Sequence, residues 1–158
     1  GHSPGHICLW EPKHRILFTG DHILPGITPH ISYHVQSGDN PLGDFLNALN
    51  KLRNLPARWA LPAHEHIFTN LRQRIEEIKK HHQKRQEEIQ GVIRKDPQHA
   101  YFISSRLTWN IPMPWDQFNP QNRRAAVTET VAHLEYMRWE GMVERFFQDG
   151  VIFYRVTP

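Results

Sequence analysis

Twelve histidines stand in 158 residues, several times a usual share, and they are spread along the chain rather than strung together as a tag. Three short stretches set them beside a carboxylate: GHSPGH at residues 1–6, LFTGD ending at Asp21, and LPAHEH carrying His64 and His66. His2, Asp21 and His64 each lie at a Gly- or Pro-bearing turn next to an apolar run. In a layered α/β protein such strand ends converge on one rim, where ligands and catalysts collect. Imidazole nitrogens with a carboxylate suit zinc, iron or manganese. A carboxylate can also bridge two cations about 3.5–4 Å apart that share a hydroxide for attack on an ester, thioester or phosphoester. Taken singly, each residue has a plainer reading: Asp21 as a turn cap, His64 as a loop histidine, His2 as part of a cloning scar.

Lesser candidates surround these three. His6, the second histidine of the first stretch, can orient a neighbour through its ring N–H, and Ser3 can bond the turn backbone. His22, His30 and His34 lie on the segment after Asp21, with His22 expected to point away from the site. His66 is a weaker candidate ligand. His81, His82, His99 and His133 read as helix-surface or core residues, and Trp109, Trp115 and Trp139 as packing anchors.

The elements that must position these groups follow from periodicity. HICLW and RILFTGD, about a four-residue Pro-containing connection, predict a β-hairpin. Residues 22–40 form a Pro/Gly/His/Ser loop, long for a compact domain. Asn40-Pro41 supplies a cap and a first-turn proline. Leu42, Phe45, Leu46, Leu49 and Leu52 follow at helical spacing. RWALPAH predicts a short strand running into the His64 loop. From Asn70 the residues Leu71, Ile75, Ile78, His82, Arg85, Ile89 and Val92 mark one face of a long helix. Its charged side is expected to carry pairs such as Glu76–Lys80 and Lys84–Glu88. AYFISSRL predicts a short helix and TWNIPMPWDQFNP a connector. Residues 121–140 predict a helix with Ala125, Val127, Val131, Leu134 and Met137 inward, stopped by Gly141. VERFF and VIFYRV about QDG predict a hairpin. The expected organisation is a mixed strand, loop and helix part over residues 1–69, then helix, helix, helix, hairpin over 70–158, which is winged-helix order.

Bulk properties narrow the class. A formal charge of +3 and a pI near 9.2 are mildly basic, not the mark of a dedicated nucleic-acid binder. No apolar run approaches the roughly 20 residues that span a bilayer, and no signal peptide is visible, so no membrane partner is expected. A single Cys8 excludes an internal disulfide framework and suits the reducing cytoplasm. Its apolar neighbours predict a buried small hydrophobe.

HSPGHICLW, LFTGDHIL, the PLGDFLNALNKL helix and LPAHEH, in that order, resemble the second half of the metallo-β-lactamase superfamily. The likeness is to glyoxalase II-like hydrolases and the β-lactamase-like protein 2 branch. RRAAVTETVAHLEYMRWEGMVERFFQDGVIFYRV resembles the winged-helix appendage of that branch. The resemblance implies an α/β (α+β) fold, the second half of an αββα sandwich followed by a helical winged-helix-like domain. It implies two divalent metal ions in the intact parent, zinc first with iron or manganese as alternatives. His2 would bind one metal, Asp21 would bridge both and His64 would bind the second, with no catalytic residue beyond these ligands. Ser3, His6, His22 and His66 would lie behind them. Glu65 occupies a place that is Glu in glyoxalase II-like members and Gly in many others.

The family's upstream H-x-H-x-D-H segment does not occur here. The chain is therefore expected to begin at the third metal motif of a longer parent, to bind metal weakly and to catalyse poorly alone. It is also expected to self-associate or pair with its missing amino-terminal half, because its sheet would otherwise keep an apolar face in water. The implied activity of the parent is a metal-dependent hydrolase, with a metal-bridged hydroxide attacking a small-molecule thioester or ester, or a phosphodiester of single-stranded RNA. The competing reading is a winged-helix RNA-binding module. The near-zero net charge of the 121–140 helix argues against that reading.

Overall fold

Strand register decides where the first 65 residues put their polar groups. In the computed structural model, which describes residues 2–157, β1 (Leu9–Glu11) pairs antiparallel with β2 (Ile16–Gly20), Leu9 opposite Phe18. Extended past the end of β1, that register sets Cys8 against Thr19 and His6 against Asp21. Cys8 accordingly donates its thiol to the Thr19 carbonyl at 3.6 Å. It is half-buried, with its thiol pushed up by burial.

The chain then crosses over through α1 (Pro41–Leu52) to β3 (Trp59–Pro62), which pairs parallel with β2. Parallel strands require such a crossover. The α1 helix starts where expected: Asn40 Oδ1 accepts from the Gly43 amide at 3.0 Å and Pro41 takes the first turn. Its buried Leu42, Phe45 and Leu49 cover the inner face of the sheet, where Leu17 and Ala60 lie.

The α2 helix (Leu71–Ile93) is the long helix expected from its 4,3 spacing. Leu71, Ile75 and Ile78 enter the core under the first sheet, while Ile89 and Ile93 enter a second core. At the end of the stripe Ile93 is buried and Val92 only half-buried. The charge pairs have other partners than the i,i+4 ones expected. Glu76 bonds Arg53 at the end of α1, and Glu88 bonds Arg85, rather than Lys80 and Lys84. Both arginines carry a planar fork that holds a carboxylate better than a lysine does.

The second core is closed by β4 (Gln98–His99), α3 (Ala100–Arg106), a 3-10 turn (Trp115–Gln117), α4 (Pro120–Trp139), β5 (Val143–Gln148) and β6 (Val151–Val156). The second sheet has order β4-β6-β5 and is antiparallel throughout. The two-residue β4 is too short to show an alternating pattern, so periodicity misses it. Asp149 and Gly150 both adopt positive φ in the β5–β6 turn, and Gly141 stops α4 at φ +72°.

The α4 helix departs from its predicted face. Ala126, Thr130, Ala132, His133, Leu134, Glu135 and Met137 are buried, while Ala125, Val127 and Val131 are half-covered. The helix is enclosed on several sides, so polar residues fill inward positions by pairing. Glu135 accepts from Arg138, Arg145 and the Tyr154 hydroxyl at 2.8–3.0 Å. Trp109 and Trp115 are packing anchors, but Trp139 is 57% exposed at the end of α4, with Arg138 over its ring. Among the described residues no helix is long and apolar enough to cross a membrane.

Candidate metal centre

The parallel register of β2 and β3 ends at Gly20 opposite Pro62, and the Ala63 amide donates to the Gly20 carbonyl at 3.0 Å. The next residues, Asp21 and His64, therefore leave the same edge of the sheet side by side. Asp21 Oδ1 lies 3.2 Å from His64 Nε2. The two atoms are not aligned as a hydrogen bond, and Oδ1 is buried without any hydrogen-bond donor. Two donors about 2.0–2.2 Å from one cation at a tetrahedral angle stand about 3.4 Å apart. The Asp21–His64 spacing thus fits joint ligation of a single divalent cation. His64 is two-thirds exposed, so this side of the pair is open.

His6 comes next, as the β1–β2 register dictates. Its Nε2 accepts from the Asp21 amide at 3.1 Å. The ring is neutral with its proton on Nδ1, which is buried and unpartnered. Burial, more than any other cause, pulls its pKa below the ordinary value. Gly20, at φ +52°, is required here, because a Cβ at that position would collide with the His6 ring. His6 thus fixes the backbone from which the Asp21 side chain projects.

His2 stands one turn upstream. The His6 amide donates to the Ser3 carbonyl at 3.0 Å, and the His2 and His6 rings meet edge to face at 6.3 Å. His2 Nδ1 is buried and unpartnered. The residue lines a cavity of about 410 Å3 together with Ser3, His30, His34, Ser37 and Asp44. Among the described residues, no three His, Cys, Asp or Glu side chains come together as a metal-holding group. Asp21 and His64 are gathered; His2 is linked to them through His6.

His22 turns inward. It packs edge to face on Phe45 at 4.9 Å, with both ring nitrogens unpartnered, and burial pushes its pKa down to about 3. His66 is exposed beyond the pair.

Two residues that hold the site loop carry little sequence signal. Glu65, at φ +70°, accepts from the Gly26 and Ile27 amides at 2.8 and 3.4 Å. Arg74, on the first turn of α2, donates to the Leu24 and Ile27 carbonyls at 2.6 and 2.8 Å. Together they clamp the segment after Asp21 from both sides. His30 Nε2 donates to the Ala125 carbonyl at 3.0 Å, and Tyr33 N–H to that of Thr128, so the same segment is also fastened to α4. The resemblance singles out the place of Glu65 but gives it no role, and nothing about a lone arginine after Asn70 flags Arg74.

Residues 1–64 match the model of the metallo-beta-lactamase superfamily. A beta-lactamase-like protein 2 homolog of Caenorhabditis elegans is 28% identical over 91% of this chain and 44% of its own length. An atrochrysone carboxyl ACP thioesterase of Aspergillus fumigatus is 26% identical over 56% of this chain and 26% of its own. The crystal structure of a metallo-beta-lactamase family protein from Thermus thermophilus superposes with a TM-score of 0.82 at 34% identity. That match covers 98% of this chain and 46% of that one. The chain spans under half the length of each of these three relatives. Over the strands that bring Asp21 and His64 together the chain matches the metallo-beta-lactamase superfamily, and its likeness to a solved member of that family runs along 98% of its length.

Proposed function

We propose that this chain carries part of the centre of a metal-dependent hydrolase, in which Asp21 and His64 hold a divalent cation, zinc before iron or manganese. The observation that carries this reading is the 3.2 Å approach of Asp21 Oδ1 to His64 Nε2 without a hydrogen bond between them. Bound divalent cations supply positive charge for an oxyanion and make water acidic enough to act as a nucleophile. The chain's own residues do the positioning. His6 fixes the Asp21 backbone, the Gly20–Pro62 register fixes the gap to His64, and Glu65 and Arg74 hold the loop beside it. His2 would be the third residue to hold metal, at a second cation for which Asp21 would be the shared ligand. Ser3, His22 and His66 stand behind or beside these groups.

Two donors are fewer than the three protein ligands of a catalytic zinc. The 158-residue chain by itself is therefore proposed to bind metal weakly and to catalyse poorly. The substrate proposed is an acyl thioester or ester, a choice supported by the thioesterase among the relatives. The test is thioester hydrolysis by the natural gene product. Asp21→Asn and His64→Gln should each lower kcat by a factor of about 100 or more, given the several kcal/mol that metal-centred charge stabilisation supplies. Activity unchanged in both variants would end the reading.

Residues 1–69 are proposed as the metal-bearing half and 70–158 as a winged-helix-like part, which the helix-strand-helix-helix-strand-strand order supports. The outer face of the first sheet exposes Leu9, Phe18 and Trp59. We infer that a second copy or a complementary half covers it. One half-buried thiol and no disulfide fit a cytoplasmic location. Single-stranded RNA is the second substrate reading. A steep loss of RNA affinity with salt would favour it, and no measurable binding at low salt would remove it.

A further inference from the structure

A cleft of about 370 Å3 separates the Gly26–His30 segment from Trp109 and Asn110, with α2 and α4 as its floor. Arg85 lines it and is 6% exposed. Its guanidinium carbon lies 4.3 Å from the Trp109 ring centre, so the indole fixes the guanidinium within the cleft. Its Nη1 donates to Glu88 at 2.9 Å. Among the described residues, its Nε finds no acceptor although it is buried, and its Nη2 makes no hydrogen bond.

Half of a buried guanidinium is therefore anchored at Glu88, and the other half, the Nε–Nη2 edge, is enclosed beside the cleft with no acceptor from the described residues. That edge has the geometry that carboxylates and phosphates fill with two oxygens. A buried charged donor left without a partner is costly, so the edge is poised for an acceptor the chain does not itself supply. Glu88 is engaged at Nη1, and the carboxylate that lines the cleft, Glu129, stands 3.7 Å from His30 Nε2 instead. Burial raises the Glu129 pKa, which weakens its opposition to an incoming anion. His81 also lines the cleft, while the Nε2–H of His30 is already given to the Ala125 carbonyl.

We propose that this cleft binds a carboxylate or phosphate group on the Nε–Nη2 edge of Arg85. The Gly26–Ile27 wall of the cleft is the segment whose amides Glu65 holds, next to His64. An anion here lies across one loop from the Asp21–His64 pair. If the anion is the tail of a substrate, that role rests on the hydrolase reading above; a free anion needs no such support.

The test is NMR of the metal-free 158-residue chain, observing the Arg85 Nε–H and the Trp109 indole N–H. Inorganic phosphate and acetate are titrated separately against chloride at matched ionic strength. The expected result is a saturable shift of both signals with phosphate or acetate and none with chloride. Arg85→Lys keeps the charge but loses the fork, and should weaken binding at least tenfold. Glu129→Gln removes the one carboxylate that lines the cleft among the described residues and should tighten binding severalfold; it keeps the proposal falsifiable if the Arg85 variant fails to fold. A shift equal to that with chloride, or a Glu129→Gln variant with unchanged or weaker binding, overturns the proposal. The source is read by comparing an acyl thioester ending in a carboxylate with its methyl ester. Preference for the charged form at Arg85 assigns the site to the substrate, while binding of phosphate or acetate without that preference assigns it to a free anion. Because metal is absent throughout, failure here leaves the Asp21–His64 reading untouched.

Discussion

Acidification should loosen the contact between α2 and α4 through one pair of buried imidazoles. His133 is fully buried, and its Nδ1 must donate to the Glu129 carbonyl, 2.9 Å away, because a carbonyl can only accept. Its Nε2 therefore carries a lone pair and accepts from His82 Nδ1 at 3.0 Å. Both rings are neutral, and His82 Nε2 is left without a partner. A proton added to His133 would set two N–H groups face to face. Burial holds the His133 pKa down to about 3 and that of His82 well below its ordinary value. Arg85 and His81 on α2 oppose both protonations, as His30 does for His133. In the unfolded chain each imidazole titrates near 6.5.

The sign follows from proton uptake. The folded pKa is depressed, so the contribution of His133 is fully present above about pH 6.5 and is lost as pH falls toward 3. At pH 5 the unfolded chain carries a proton that the folded chain lacks, over about 1.5 pH units at about 1.4 kcal/mol each. His133 alone then costs about 2 kcal/mol of stability, and His82 adds to it in the same direction. Urea unfolding at pH 7, 6 and 5 measures this. The natural chain should lose stability steeply, and His133→Gln should be less stable at pH 7 but show a slope shallower by about one proton. An unchanged slope in the variant, or a His133 titration near 6.5 by NMR, would refute the reasoning.

Other perturbations probe the frame around the site. Glu135→Gln removes a carboxylate that is 1% exposed and holds Arg138 and Arg145. The expected loss is about 2 kcal/mol, below the usual cost of breaking a buried pair because both guanidiniums reach water; chemical denaturation measures it. Gly20→Ala should displace the His6 ring and strain a backbone at φ +52°, costing about 1–2 kcal/mol. It should also shift the Asp21 amide resonance by breaking its bond to His6.

The elements were legible where pattern and capping agreed. Asn40-Pro41 marked the start of α1, the 4,3 spacing marked α2, and Gly141 marked the end of α4. Short strands were less so: β4 has only two residues, and its place comes from pairing with β6 rather than from any local preference. The buried face of α4 was misread because Thr130, His133 and Glu135 go inward by pairing with Ser104, His82 and Arg145. A pattern of apolar spacing cannot foresee that. At the candidate site, Asp21 and His64 were readable as residues at strand ends. The role of His6 was visible only in outline, because its contact with Asp21 depends on a register that no single stretch encodes. The clamps from Glu65 and Arg74 depend on loop backbone geometry, which side-chain types do not announce.

The central claim is that Asp21 and His64 share one divalent cation. Zinc titration of the metal-free chain, followed by NMR at the His64 ring and the Asp21 carboxyl carbon, tests it most directly. The account predicts that both signals move together and saturably, that binding is weak enough for dialysis to remove the metal, and that either Asp21→Asn or His64→Gln abolishes the shift at the other residue. Zinc that leaves both signals in place, or two equivalents per chain surviving dialysis, would contradict it.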